Sequence, residues 1–132
     1  MHPDYPRFHL AIPVTDPNDA RVFYGEVLGC ATGRESARWI DFDFFGRQLV
    51  AHQVDASQLD APDTDGVTNK VEGHDVPASH LRIVLAWEDD RSLLSRLTDA
   101  GIEFGIDHHA RFGGRPGEQA TFFMQDPSGN YL

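Results

Sequence analysis

Phe8-His9-Leu10-Ala11-Ile12-Pro13-Val14 is the stretch from which the rest of the chain can be read. Phe8, Leu10, Ile12 and Val14 alternate with His9, Ala11 and Pro13, the period of two of a strand packed on one face. The apolar set predicts a helix-covered face, and the set opened by His9 predicts the opposite one. Immediately downstream, Asp16-Pro17-Asn18-Asp19 reads as a helix start, with Asp as N-cap, proline in the first turn and an acid three residues on. Ala20, Phe23, Tyr24, Val27 and Leu28 then form one apolar helical stripe, and Gly29 ends it. Two strand-like runs follow, Trp39-Ile40-Asp41-Phe42-Asp43-Phe44 and Gln48-Leu49-Val50-Ala51-His52, joined at Gly46.

The same order recurs. His80-Leu81-Arg82-Ile83-Val84-Leu85 alternates in the same way and places His80, Arg82 and Val84 on the face away from its helix. A helix then starts among Glu88, Asp89 and Asp90, carries Leu93, Leu94, Leu97 and Ala100, and stops at Gly101. A strand follows near residues 102–106. Beyond it lie the glycine-rich loop Arg111-Phe112-Gly113-Gly114-Arg115-Pro116-Gly117, a strand around Ala120-Thr121-Phe122-Phe123-Met124 and the turn Asp126-Pro127-Ser128-Gly129-Asn130. The two histidines are 71 positions apart (9 to 80) and the two helix-stop glycines 72 (29 to 101). We therefore expect an α+β fold of two tandem βαβββ modules, forming a curved mixed sheet around a cleft. Module one covers about residues 7–53 and module two about 78–132, with an incomplete last strand, all in one domain, 1–132. Each module would offer a histidine from its first strand to one cleft, and two imidazoles so placed are a common start of a divalent-metal site.

Composition narrows the function. The chain's 132 residues make one domain, large enough to bury roughly two-thirds of its unfolded surface without disulfides. With 11 basic and 21 acidic residues the formal charge is −10, which opposes nucleic-acid binding and anionic membranes. No apolar run approaches the ~20 residues of a membrane-spanning helix, and the N-terminus lacks a signal-peptide pattern, so a cytoplasmic location is expected. Cys30, the single cysteine, excludes an internal disulfide and any multi-cysteine zinc site. Between Gln53 and Val76, six acids (Asp55, Asp60, Asp63, Asp65, Glu72, Asp75) face Lys70 alone, with no aromatic. Residues 54–77 thus read as an acidic excursion between the modules, and about Asp55 to Val76 as the most mobile part of the chain.

The strand around His9, the helix ending Phe23-Tyr24-Gly25-Glu26-Val27-Leu28-Gly29 and the late Asp126-Pro127-Ser128-Gly129-Asn130, in this order and spacing, resemble the vicinal oxygen chelate superfamily. Glyoxalase I, extradiol dioxygenases and bleomycin-resistance proteins belong to it. The resemblance covers essentially the whole chain except the acidic excursion. It implies that His9 and His80 match the first-strand metal ligands, and that a glutamate ligand is expected just after the 126–130 turn, so that it either lies at or past Leu132 or is missing. It implies one divalent ion (Fe, Ni or Zn), a small-molecule substrate and a homodimer. The implied function is a metal-dependent enzyme, a dioxygenase or an isomerase or lyase, acting on a small oxygen-chelating substrate. The alternative within the same superfamily is a metal-free protein that sequesters a small cationic drug, which the acidity favours.

The remaining candidates are local. Gln48, Val50 and His52 share one face of a strand, so Gln48 or His52 could be a fourth ligand or touch substrate. Arg82, beside His80, could anchor an anionic group, with Glu118 and Gln119 at the base of the glycine-rich loop also in the substrate pocket. That loop lacks the spacing and lysine of a phosphate loop. His108 and His109 point to opposite sides of a strand, His74-Asp75 sits in a polar loop, and Cys30 has nothing to activate it. None of these five residues is assigned a role, and of His108 and His109 at most one could serve the site.

Overall fold

The computed structural model describes residues 8–59, 68–71, 73–111 and 119–132. Strand β1 (His9–Val14) runs into a short helix α1 (Pro17–Ala20), capped by Asp16, whose carboxylate accepts from Asn18 N at 2.8 Å. The helix continues over Arg21–Val27 as a π-helix rather than the expected α-helix, with Leu28 N bonded to Phe23 O at 2.9 Å. The wider turn shifts same-face neighbours from i+3 towards i+5. Phe23, Tyr24 and Leu28 are therefore buried together, and Val27 is turned half out of the stripe.

Three strands complete the first module: β2 (Ala31–Glu35), β3 (Trp39–Phe44) and β4 (Arg47–Gln53). They form one mixed sheet in the order β1-β4-β3-β2, with β1 parallel to β4 and the rest antiparallel. Strand β2 has no apolar alternation because every residue in it is exposed, which is why its sequence is silent. The β3–β4 turn uses Phe45 and Gly46, both at positive φ (51° and 86°), and the Asp43 carboxylate accepts from Gly46 N at 2.8 Å.

The acidic excursion contains more order than its composition suggests: a short helix α2 (Ala56–Leu59) and a hairpin of β5 (Thr68–Val71) and β6 (His74–Pro77). Residues 60–67, where part of the expected mobility falls, lie outside the described residues. In the second module, α3 (Trp87–Asp99) has three acids in its first turn and stops before Gly101 at φ +75°. A hairpin of β7 (Phe104–Arg111) and β8 (Gln119–Met124) follows. The expected strand at residues 80–85 needs correcting. The segment keeps its alternation, with Leu81, Ile83 and Leu85 half-buried and Arg82 and Val84 exposed, but it forms no strand ladder among the described residues. Leu81 N bonds to Tyr131 O at 2.8 Å, so its partner is the short stretch after the 126–130 turn. No helix among the described residues is long and apolar enough to cross a membrane.

One core unites both modules. Ile12, Val14, Phe23, Tyr24, Ile40, Phe42, Phe44, Leu49 and Ala51 pack with Leu97 of α3 and Met124 of β8. Two polar contacts set this packing. The buried Asp126 carboxylate accepts from Tyr24 OH at 2.8 Å and from Ser128 N, Asn130 N and Asn130 Nδ2, each at 2.9 Å. Asn130 Nδ2 also donates to Pro13 O at 2.8 Å, and Thr15 N donates to Ser128 Oγ at 2.9 Å. The second contact is Arg96, whose guanidinium donates to Glu26 O at 3.0 Å and caps the π-helix end. It occupies the space a Cβ on Gly29 would need, and Gly29 itself sits at φ +74°.

Burial, reinforced by the Asp126 carboxylate, pushes the Tyr24 phenol far above its ordinary 10.0. Burial pushes the Cys30 thiol from 9.0 up to about 11, with Asp43 adding and Arg96 opposing. Both groups release their protons later when folded than when unfolded, so their stabilising contribution is complete below pH 9 and is lost as pH rises. The urea midpoint should hold steady to about pH 8.5 and fall through about pH 9–11, and Cys30→Ala should lessen the fall in that window. Tyr24→Phe leaves a buried carboxylate short of a donor and should cost about 1–3 kcal/mol at neutral pH, read from urea unfolding.

Candidate functional site

Strand alternation gives the first sheet two unlike faces. Leu10, Ile12, Ile40, Phe42, Leu49 and Ala51 face the helix, whereas His9, Ala11, Gln48, Val50, His52, Trp39, Asp41 and Asp43 take the open face. Register sets their order across the strands: His9 opposite Gln48 and then Asp43, Ala11 opposite Val50 and then Asp41, Pro13 opposite His52 and then Trp39.

His9 is exposed, and its Nδ1 lies 3.1 Å from Gln48 Oε1. Gln48 Nε2 donates to Asp41 Oδ2 at 3.1 Å, and Arg34 Nε donates to the same oxygen at 3.1 Å. Asp41 is only 6% exposed and is one of two buried acidic residues among those described, while the Arg34 side chain is largely exposed. Of the two candidates on β4, the structure brings Gln48 to His9. His52 is four residues further on, about 13 Å along the strand, so it stands apart from the His9 pair.

His80 is held differently. Its Nδ1 donates to Pro77 O at 2.7 Å, and its ring meets Phe123 edge-on, centroids 5.2 Å apart. On β8, Phe122 and Met124 pack against the main core cluster, and Phe123, on the other face of the strand, is itself buried and carries His80 against its ring. Each histidine therefore lies off the packed face of its own module, as the alternation requires. No described contact joins His9 to His80, and among the described residues no three His, Cys, Asp or Glu side chains are grouped so as to hold a metal ion.

Arg82 is exposed and lines a cavity of about 250 Å³ with Phe8, Leu10, Leu49, Leu81 and Ile83. A second cavity of about 150 Å³ is lined by Leu28, Phe44, Trp87, Leu93, Phe122 and Met124. Both draw mainly on the helix-facing side of the first sheet, and Gln48, the partner of His9, also lines the first of them. Gln119 opens β8 opposite Arg111. Glu118 and the glycine-rich loop lie outside the described residues. His108 and His109 lie on β7, and Asp75 of the His74-Asp75 pair is engaged by Lys70 at 2.8 Å.

Sequence reasoning missed Asp41 and Arg34. In an alternating strand, an acid on the non-core face reads as solvated, and only the diagonal to Gln48 across β3 and β4 shows otherwise. Asp126 was legible as a turn residue but not as the acceptor for Tyr24, 102 positions away.

The family model described as the Glyoxalase/Bleomycin resistance protein/Dioxygenase superfamily matches residues 8–132. No curated protein matches the chain. Among solved structures, a glyoxalase/bleomycin resistance protein/dioxygenase from Alicyclobacillus acidocaldarius is 33% identical, covering 100% of this chain and 91% of that one, with a TM-score of 0.75. A glyoxalase/dioxygenase from Nostoc punctiforme is 16% identical, covering 99% and 91%, with a TM-score of 0.70. A genomically encoded fosfomycin resistance protein from Listeria monocytogenes is 12% identical, covering 96% and 88%, with a TM-score of 0.66. These last two share the fold. With its family match across both modules and their connecting excursion, the chain belongs to the glyoxalase/bleomycin resistance protein/dioxygenase superfamily.

Proposed function

We propose that this chain is a divalent-metal-dependent enzyme of the glyoxalase/dioxygenase type, acting on a small substrate that presents two neighbouring oxygens. The observation that carries the reading is the way the two histidines are held. His80 Nδ1 donates to a backbone carbonyl, and His9 Nδ1 faces the amide oxygen of Gln48. A neutral imidazole that donates through one nitrogen keeps a lone pair on the other, so both rings offer Nε2 to a ligand. Metal-bound histidines characteristically donate their second nitrogen in this way.

The donor set suits Fe, Ni or Zn, with His9 and His80 as the imidazole ligands. The family pattern expects a third, carboxylate ligand just after the 126–130 turn, where this sequence has Tyr131 and Leu132. When bound, such an ion supplies Lewis acidity to the two substrate oxygens. The chain's own part is to fix both rings, keep them off the packed core and present Arg82 to an anionic portion of the substrate. A homodimer agrees with the place of β1 at the edge of its sheet, with a ladder partner on one side only among the described residues.

A second reading, metal-free sequestration of a small cation, is favoured by the net charge of −10 and by Asp41 and Asp43 on the open face. Elemental analysis of untagged protein grown with iron, nickel and zinc separates the two. About one ion per chain is expected, with His9→Ala and His80→Ala each lowering occupancy at least tenfold. Stability of both variants should stay within about 0.5 kcal/mol of the parent, since neither residue is in the core. Protein that remains metal-free overturns the enzyme reading in favour of sequestration.

A further inference from the structure

We infer that Asp41 is a positioning residue whose buried carboxylate, acting through the Gln48 amide, holds His9 in the tautomer that leaves Nε2 unprotonated. The chemistry of the chain Arg34–Asp41–Gln48–His9 permits one direction only. A carboxylate accepts hydrogen bonds and cannot donate them, so the Gln48 atom 3.1 Å from Asp41 Oδ2 is its NH₂ group. The other end of the same planar amide, Oε1, then faces His9 Nδ1 at 3.1 Å, and an amide oxygen only accepts. Nδ1 therefore carries the proton and Nε2 the lone pair.

Without the carboxylate nothing would orient the amide. Rotated by 180°, it would offer NH₂ to Nδ1, and the imidazole would carry its proton on Nε2, the tautomer that neutral imidazole prefers in water. A nitrogen bearing that proton cannot accept a substrate hydrogen or bind a metal ion. Asp41 can play this part because it is 6% exposed, which keeps water from competing for Gln48 Nε2, and because Arg34 donates to the same oxygen. Gly33 contributes by having no side chain: a Cβ there would come within 3.3 Å of Asp41 Cβ.

The arrangement also explains why the two histidines need different support. His80 Nδ1 donates to the Pro77 carbonyl, an acceptor that cannot be reversed, so its tautomer is set by the backbone alone. His9 depends on three side chains. The consequence for function rests on His9 being a ligand or base, but the positioning itself does not, and it is testable on protein stripped of metal.

The test is a long-range proton–nitrogen correlation spectrum of histidine-labelled, chelator-treated protein at a pH where the imidazoles are neutral. His9 and His80 should both show the Nδ1–H pattern. In Asp41→Leu, His9 should shift to a predominantly Nε2–H pattern while His80 stays unchanged, reporting an intact fold. Asp41→Asn keeps an acceptor for Gln48 Nε2 and should keep His9 as in the parent, while Gln48→Leu should release it. If Asp41→Leu does not fold, shown by loss of the His80 pattern, Asp41→Ala takes its place. A parent His9 in the Nε2–H form, or a His9 unmoved by loss of the Asp41 carboxylate, overturns the inference. Elemental analysis of the parent stands separately: relay intact with no metal would fail the proposed function and leave the positioning role standing.

Discussion

A carboxylate with 5% of its surface exposed is tolerable only if its oxygens are used, and the organisation of both modules follows from how Asp126 meets that demand. Two backbone amides and one side-chain amide from its own turn fold around it, and the Tyr24 hydroxyl arrives from the first module. The same turn reaches Pro13 and Thr15 at the end of β1. The second module is thereby tied to both the strand and the helix of the first, at a point where the apolar core alone would allow sliding. Hydrophobic packing of Leu97 and Met124 against Phe23, Tyr24 and Phe44 supplies the larger part of the attraction, but it is non-directional. The directional part comes from Asp126, and from Arg96 capping the carbonyl of Glu26.

Among the described residues, buried carboxylates therefore occur twice, with opposite uses. Asp126 joins modules and gathers its donors largely from a local turn. Asp41 lies on the open face of a single sheet and engages one side chain that leads to His9 and one that leads out to solvent. An overall charge of −10 makes any such burial costly, since neighbouring acids disfavour another charge in low-dielectric surroundings. Each site offsets that cost with charge-assisted or multiple hydrogen bonds, and among the described residues no buried side-chain nitrogen or oxygen lacks a partner. The face that carries His9 thus shares the rules of the core: among the described residues, every buried side-chain nitrogen and oxygen has a defined acceptor or donor.

The cavity lined by Arg82 also takes in Gln48, the partner of His9, so it reaches from the helix-facing side of the first sheet to a residue of its other face. Apolar lining from Leu10, Leu49, Leu81 and Ile83 makes one cavity an extension of the core between the modules. Polar residues on the other face are what an ion or a small oxygenated molecule could recognise. Cavity size is a weak guide to chemistry in this fold, and the hydrogen-bond pattern around His9 and His80 is the stronger one.

The period of two around His9, the stripe from Ala20 to Leu28 and the near-copy beginning at His80 were enough to read the α+β class and the duplication. These are local signals, set by which side chains a strand or helix must bury. Strand β2 escaped because it buries nothing, the π-turn because Phe23 and Leu28 satisfy an α stripe equally well, and the missing ladder at residues 80–85 because alternation reports burial, not pairing. The candidate site divides in the same way. That His9 and His80 lie off the packed faces follows from parity along each strand, which the order of residues alone dictates. Which nitrogen each ring presents depends on Pro77, Gln48 and Asp41, and no periodicity encodes a bond between residues 41 and 48 or 24 and 126, because those partners meet only when strands and modules pack in register.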